Sequence, residues 1–171
     1  MKKVLYNIDD KFKELKAESL YLYGILAAYK GSISRKYIKD LTGFNDDQVD
    51  EYLKELNEAG YIKDYPDYKL ADIDKLEGEK INISYGAIRL FLTLSQKEES
   101  PIDYYYIKTY MLLLYYCSQN KGTDKRKLNS DLIDPELGIN KDPFCIQLKN
   151  LEEASIIKFK NGSQNTITLM I

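Results

Sequence analysis

The chain contains no histidine and no tryptophan, and its two cysteines, Cys117 and Cys145, stand far apart in the sequence. Common zinc-ligand spacings and catalytic triads with an imidazole base are therefore excluded. There is also no Gly-rich phosphate loop, H-E-x-x-H or G-x-S-x-G motif, so we expect no catalytic site, no cofactor and no bound metal. A carboxylate pair brought together by the fold is the catalytic arrangement that the sequence leaves open.

Isolated cysteines in a chain of 171 residues rich in Lys and Glu indicate a reducing, cytoplasmic setting, where each cysteine serves as a small buried apolar residue. The N-terminus lacks an apolar stretch of signal-peptide length, and the longest apolar run, residues 110–117, is too short to span a bilayer. We therefore expect a cytoplasmic protein without membrane contact. The formal net charge of −2 is not that of a strong non-specific nucleic-acid binder, but it leaves room for a local basic surface.

One stretch of the sequence occurs twice, because residues 43–63 align with residues 138–158 without a gap. The shared pattern is G-x-N-x-D-x5-L-K-x-L-x-E-A-x-x-I-K. Asn45 and Asn140 are suitable helix N-caps, and the glycine before each of them permits a tight turn. Apolar residues then recur at helical spacing, and Gly60 follows the first of these stripes as a stop. Each copy thus predicts a turn, a capped helix and the start of a strand.

Similar elements surround both copies. Before the first copy, the sequence predicts a longer helix over residues 18–30 and then a short helix over residues 34–41. Before the second copy, it predicts a longer helix from Ser100-Pro101 to about residue 119 and then a short helix over residues 123–132. A hairpin is predicted after each copy, over residues 61–73 with Pro66-Asp67 as its turn, and over residues 158–171 with Asn161-Gly162 as its turn. Between the halves, Ser84 predicts a capped linker helix to about Lys97.

The segment S-R-K-Y-I-x-x-L-T-G-F-x5-V-x-x-Y-L-x-x-L-x-x-A-G-Y-I at residues 34–62 resembles bacterial winged helix-turn-helix domains. It is most similar to those of replication initiators, replisome organisers and regulators of plasmids and phages in low-GC Gram-positive bacteria. The resemblance implies a mainly α fold with small β wings (α+β). Two tandem winged-helix units, residues 1–80 and 101–171, would be joined by a linker helix at residues 81–100.

The resemblance implies binding of double-stranded DNA by a transcriptional regulator or replication initiator of a mobile element. In such domains the second helix of the helix-turn-helix reads bases while neighbouring elements hold phosphates. The candidate DNA contacts are Ser34, Arg35 and Lys36 in the first unit, and Lys121, Lys125, Arg126, Lys127, Asn140, Lys141, Lys149, Lys158 and Lys160 in the second. The competing interpretation is that these lysines are ordinary solvated surface residues.

The corresponding helix of the first copy begins with a group of carboxylates, Asp46, Asp47, Asp50 and Glu51. DNA phosphates would repel these groups. One interpretation is that these carboxylates are solvated and stabilise the helix by interacting with the positive end of its dipole. The other is that they form a docking face for a protein partner. The second alternative would suit an inhibitor that occupies the basic groove of a nucleic-acid-binding enzyme.

The tyrosine-rich stretch of residues 104–116 is apolar on nearly all sides after Lys108. A helix of this kind is buried on most of its surface. It either packs in the core of its own unit and against the linker helix, or forms the seam of a homodimer.

Overall fold

The computed structural model describes residues 2–119, 127–129, 141–160 and 166–171. Within these ranges the fold is mixed α+β and mostly helical. The helices are α1 (Asp10–Glu14), α2 (Ala17–Ala28), α3 (Arg35–Thr42), α4 (Asp46–Glu58), α5 (Tyr85–Ser95), α6 (Tyr106–Gln119) and α7 (Lys141–Glu153), with a 3-10 turn at Ile73–Lys75. The strands are β1 (Lys3–Ile8), β2 (Ile62–Lys63), β3 (Lys69–Leu70), β4 (Glu79–Ser84), β5 (Lys127–Asn129), β6 (Ile157–Lys160) and β7 (Thr166–Leu169).

Side-chain caps and a glycine turn set the ends of α3 and α4, and the predicted N-cap of α4 at Asn45 is confirmed. Ser34 accepts a hydrogen bond from the Tyr37 amide at the start of α3, and Gly43 ends that helix with φ of 73°. Asn45 and Gln48 then form a reciprocal capping box at the start of α4, which satisfies two otherwise unpaired amides. The apolar stripe of α4 is buried, and the predicted first hairpin is confirmed as the antiparallel pair β2–β3.

Strands β1 and β4 form an antiparallel pair that the sequence did not reveal. Lys3 lies opposite Ser84, and Ile8 lies opposite Glu79. Tyr6 of β1 is fully buried, and its hydroxyl donates to the Leu20 carbonyl of α2 at 2.9 Å. This sheet therefore ties the chain's first strand to the segment that leads into α5.

The C-terminal residues form a three-stranded sheet in the order β5-β7-β6. The pairing of β6 with β7 confirms the second predicted hairpin, whose turn lies outside the described residues. The helix predicted over residues 123–132 is wrong at Lys127–Asn129, which pair with the edge of β7 instead. The rest of that prediction lies outside the described residues. Two leucines one turn apart were a weak helical signal, and the open edge of β7 offered the backbone a full set of hydrogen bonds.

Helix α6 begins at Tyr106, so the predicted start at Ser100-Pro101 is also wrong. The Ser100 hydroxyl accepts from the Ile102 amide at 3.1 Å, and the Asp103 carboxylate accepts from the Tyr105 amide at 2.8 Å. These side chains hold the backbone in two successive turns, which compete with the helix. Ile102 is buried as a result.

One apolar core extends through both halves of the chain. Helix α5 starts at its predicted cap Ser84 and packs against α2 and α6. The rings of Phe91 and Tyr110 lie 5.1 Å apart between α5 and α6. The tyrosine-rich helix thus packs in the core of its own chain, with Tyr106 buried and Tyr105 on the surface.

Lys108 is the charged residue that α6 carries into this core. Its ammonium donates to the carbonyl oxygens of Lys13 and Leu15 at 2.7 and 2.8 Å. These carbonyls belong to the last turn of α1, where a positive charge is favourable. Burial nevertheless lowers the pKa of Lys108, because the surrounding side chains solvate its charge less well than water does. No described helix has both the length and the apolar character needed to cross a bilayer.

Candidate nucleic-acid interface

Both copies of the repeat end their second helix in the same way. The Tyr61 amide donates to the Leu56 carbonyl at 2.9 Å, and the Ile156 amide donates to the Leu151 carbonyl at 2.9 Å. The residue before each donor has a positive φ. The carbonyls of Tyr61 and Ile156 then accept from the returning strand at 3.0 and 2.9 Å. The repeat is therefore a repeat of backbone structure and not of sequence alone.

The second helix of each copy also contacts the preceding long helix through the same aligned position. Glu55 of α4 contacts α2, and Asn150 of α7 donates to the Tyr106 hydroxyl at 2.7 Å. Gln147 is joined to Thr109 of α6, also at 2.7 Å. Gln147 and Asn150 therefore both serve the packing of α7 on α6.

Helices α3 and α4 are joined by ion pairs at the acidic start of α4. The Arg35 guanidinium lies 2.9 Å from the Asp46 carboxylate and 2.8 Å from that of Asp50. Lys39 approaches the other oxygen of Asp46 at 2.6 Å. Hydrogen bonds from Lys39 and Arg35 lower the pKa of Asp46, because both stabilise its charged form.

The predicted acidic docking face is consequently less negative than its sequence indicates. Glu51 pairs with Lys16, so three of the four carboxylates, those of Asp46, Asp50 and Glu51, are neutralised by cations of the same chain. Asp47 is the fourth, and it is exposed. A partner would have to compete with these cations for most of the face.

The same contacts decide which DNA candidates of the first copy are accessible. Ser34 is the N-cap of α3, and its hydroxyl oxygen already accepts a backbone amide. Arg35 is held by Asp46 and Asp50. Lys36 lies on the exposed side of α3. Of these three predicted contacts, Lys36 is the one that can reach a phosphate without breaking an existing interaction.

In the second copy, Lys121, Lys125, Arg126 and Asn140 lie outside the described residues. Lys127 lies in β5, Lys141 begins α7 and Lys160 ends β6. Lys158 is exposed on β6, and the Lys149 side chain is 76% exposed at 3.8 Å from Glu153. Ile146, on the same solvent side of α7, is 60% exposed. The outer surface of α7 therefore presents an apolar and a cationic side chain.

The structure also brings together a set of residues that sequence reasoning missed, which we call the tyrosine–cation patch: Lys2, Tyr29, Tyr37, Tyr85 and Arg89. The Lys2 ammonium lies 4.8 Å from the centre of the Tyr29 ring. The hydroxyls of Tyr29 and Tyr37 are 3.1 Å apart, and the Tyr29 and Tyr85 rings meet edge to face at 6.0 Å. The hydrogen bond with Tyr29 raises the pKa of Tyr37, while the nearby charge of Arg89 acts in the opposite direction.

No local sequence signal marks this patch, because its residues come from the residue before β1, the C-cap of α2, and helices α3 and α5. Comparisons with protein-family models, with curated proteins and with solved structures found no match for the chain. Among the described residues, no group of three potential ligands is arranged to hold a metal ion.

Proposed function

We propose that this chain is a DNA-binding protein with two winged helix-turn-helix units in tandem. It would act in the cytoplasm on double-stranded DNA, as a transcriptional regulator or replication initiator of a mobile element. The observation that carries the proposal is the repeated helix end, where the second helix of each copy stops at a residue of positive φ and leads into a hairpin. The sheet order β5-β7-β6 behind α7 supports it further.

The second unit is the one we propose to read DNA. Under the alignment of the two copies, Lys141 and Ile146 of α7 take the places of Asp46 and Glu51 of α4. Phosphates repel carboxylates, so α7 is the better helix to approach the major groove. An exposed isoleucine suits apolar contact with a thymine methyl group, which is a base-specific interaction.

Selection from a pool of random duplex DNA, followed by salt titration, tests this proposal. We expect enrichment of a defined site and a log–log salt slope of about −0.9 per phosphate contact. The variant Lys149→Glu with Lys158→Glu reverses two exposed charges of the second unit, so its affinity should fall sharply. The matched control Lys11→Glu with Lys97→Glu changes the net charge equally at exposed positions outside α7 and β6.

Unchanged affinity of the α7 and β6 variant, with the control also unchanged, would refute a role for this surface. Absence of enrichment at low salt would refute DNA binding altogether. A protein partner for the exposed Asp47 and its neighbours would then be sought by charge reversal at Asp47 and Asp50.

A further inference from the structure

We propose that the first unit and the linker helix α5 together hold the phosphate backbone of the same DNA duplex, through Lys36 and the tyrosine–cation patch and not through α4. This inference rests on the proposed function and assigns a role to residues outside the helix-turn-helix. Lys2 immediately precedes β1, and Tyr85 and Arg89 lie on the helix that follows β4.

The division of charge around α3 carries the argument. Arg35 and Lys39 lie on the side of α3 that meets α4, and aspartates there neutralise both. Tyr37 lies on the other side, beside Arg89 of α5. Lys36 lies on the exposed surface between these two sides. The two cations of α3 that face α4 are therefore neutralised, whereas Lys36 has no ion-pair partner among the described residues.

The cations of this surface have no carboxylate partner within the described part of the chain. Lys2, Lys36 and Arg89 form no ion pair there, and the acidic residue that follows on the exposed side of α3 is Asp40. These three cations therefore keep their positive charge without an ion-pair partner among the described residues, in a chain whose formal net charge is −2. A polyanion is the ligand that such a surface attracts.

The aromatic groups add donors and fix the position of the charge. Tyr37 is 42% exposed, so its hydroxyl can donate to a phosphate oxygen at the surface. Tyr29 holds the Lys2 ammonium over its ring, which limits the freedom of a flexible side chain before the ligand arrives. Both kinds of group, fixed cations and neutral hydrogen-bond donors, contact phosphate oxygens where proteins bind the DNA backbone.

Two polar atoms of α5 in this patch have no hydrogen-bond partner among the described residues, namely Arg89 Nε and the Tyr85 hydroxyl. Buried donors are normally paired, and an unpaired one requires an explanation. A hydrogen bond to Tyr37 holds the Arg89 guanidinium beside the exposed phenol, while its Nε keeps an unused donor.

The test uses the full chain and the duplex selected above, or a duplex of random sequence if no site is enriched. Lys2→Ala with Lys36→Ala should weaken binding about eightfold per contact at 0.1 M salt, or about sixty-fold together, because each phosphate contact contributes about 0.9 to the salt slope. The slope itself should fall by about 2. Tyr37→Phe, which removes one donor and keeps the ring, should weaken binding less and leave the slope unchanged.

The control variant Lys11→Ala with Lys97→Ala removes two exposed lysines at other places and should bind like the wild type. Equal melting temperatures of all variants show that the fold is intact. If the wild type binds duplex and Lys2→Ala with Lys36→Ala binds it equally well, this inference is wrong while the proposed function stands. If the wild type binds no duplex at low salt, both are wrong. Binding of single-stranded DNA is measured with the same variants. If Lys2→Ala with Lys36→Ala loses binding to single-stranded DNA but keeps binding to duplex, the inference is also wrong, because the patch would then serve a different ligand.

Discussion

Raising the pH above 10 should unfold this protein cooperatively, because four tyrosines in its core must stay protonated for it to remain folded. Tyr6, Tyr21, Tyr23 and Tyr61 are each at most 3% exposed. Burial is the largest cause that raises the pKa of all four. Neighbouring tyrosines raise the pKa of Tyr6 further, since a second phenolate nearby would repel the first.

The sign and size of the effect follow from proton linkage. In the unfolded chain a tyrosine loses its proton with a pKa of about 10, whereas in the fold these four keep theirs. The stability that they contribute is complete below pH 10 and is lost as the pH rises above it. The loss is about 1.4 kcal/mol per tyrosine at pH 11 and about 2.7 kcal/mol at pH 12, so about 6 and 11 kcal/mol for the four. Domains are stable by about 5–15 kcal/mol, so a stability of about 6 to 11 kcal/mol would place the midpoint between about pH 11 and pH 12, and a higher stability would move it above pH 12.

Two signals recorded together measure this transition. Absorbance at about 295 nm reports tyrosinate without interference, because the chain has no tryptophan, and far-ultraviolet circular dichroism reports the helices. The last tyrosines should ionise together with the loss of helix. Tyr23→Phe should retain about 1.4 kcal/mol more stability at pH 11 than the wild type, while Tyr105→Phe, at a ring that is 45% exposed, serves as the control. Ionisation of all sixteen tyrosines with full helicity would refute the reasoning.

Two further predictions concern the backbone. Gly24→Ala would place a Cβ 2.5 Å from the Tyr6 hydroxyl and 2.8 Å from Ile88, so urea unfolding should show a fold destabilised by about 1–3 kcal/mol. Gly86→Ala would make only an ordinary contact with the Ser84 hydroxyl at 3.8 Å, so it should be stabilising. Equal effects of the two substitutions would contradict the close packing at Gly24. Ser155 has φ of 59°, at the position where the first copy has Gly60. Ser155→Gly should therefore raise the free energy of unfolding by about 0.5 kcal/mol, because glycine adopts a positive φ without strain. A lower urea midpoint of this variant would show that Ser155 is not strained.

The sequence predicted best what neighbouring residues decide among themselves. The caps at Asn45 and Ser84 depend on a side chain and an amide three residues away, and both form as expected. Gly43 is likewise found at the positive φ that its turn requires. The two hairpins follow from short alternating segments around turn residues. These elements need no distant partner to be recognised.

What the sequence did not reveal depends on contacts between distant residues. Strand β1 exists because of β4, which lies more than seventy residues away. The sequence of β1 does not alternate, and the short alternation around Ile81 and Ile83 in β4 has no neighbouring partner in the sequence. Strand β5 likewise depends on the edge of β7. The pairing of Arg35 with Asp46 and Asp50 turned a predicted DNA contact and a predicted acidic face into one internal contact. The tyrosine–cation patch collects residues from four elements, so no single segment could predict it.

The pairing of β1 with β4 also fixes an order of events during synthesis. Val4, Tyr6 and Ile8 leave the ribosome early, but their partners at residues 79–84 follow only roughly 4–16 s later at about 5–20 residues per second. During that interval the strand is an apolar segment with unpaired backbone edges, which is the kind of segment that chaperones bind and that aggregates. A chain cut after residue 63 would keep the whole helix-turn-helix and would leave β1 in this state permanently, so we expect the shortest well-behaved N-terminal fragment to extend beyond residue 84.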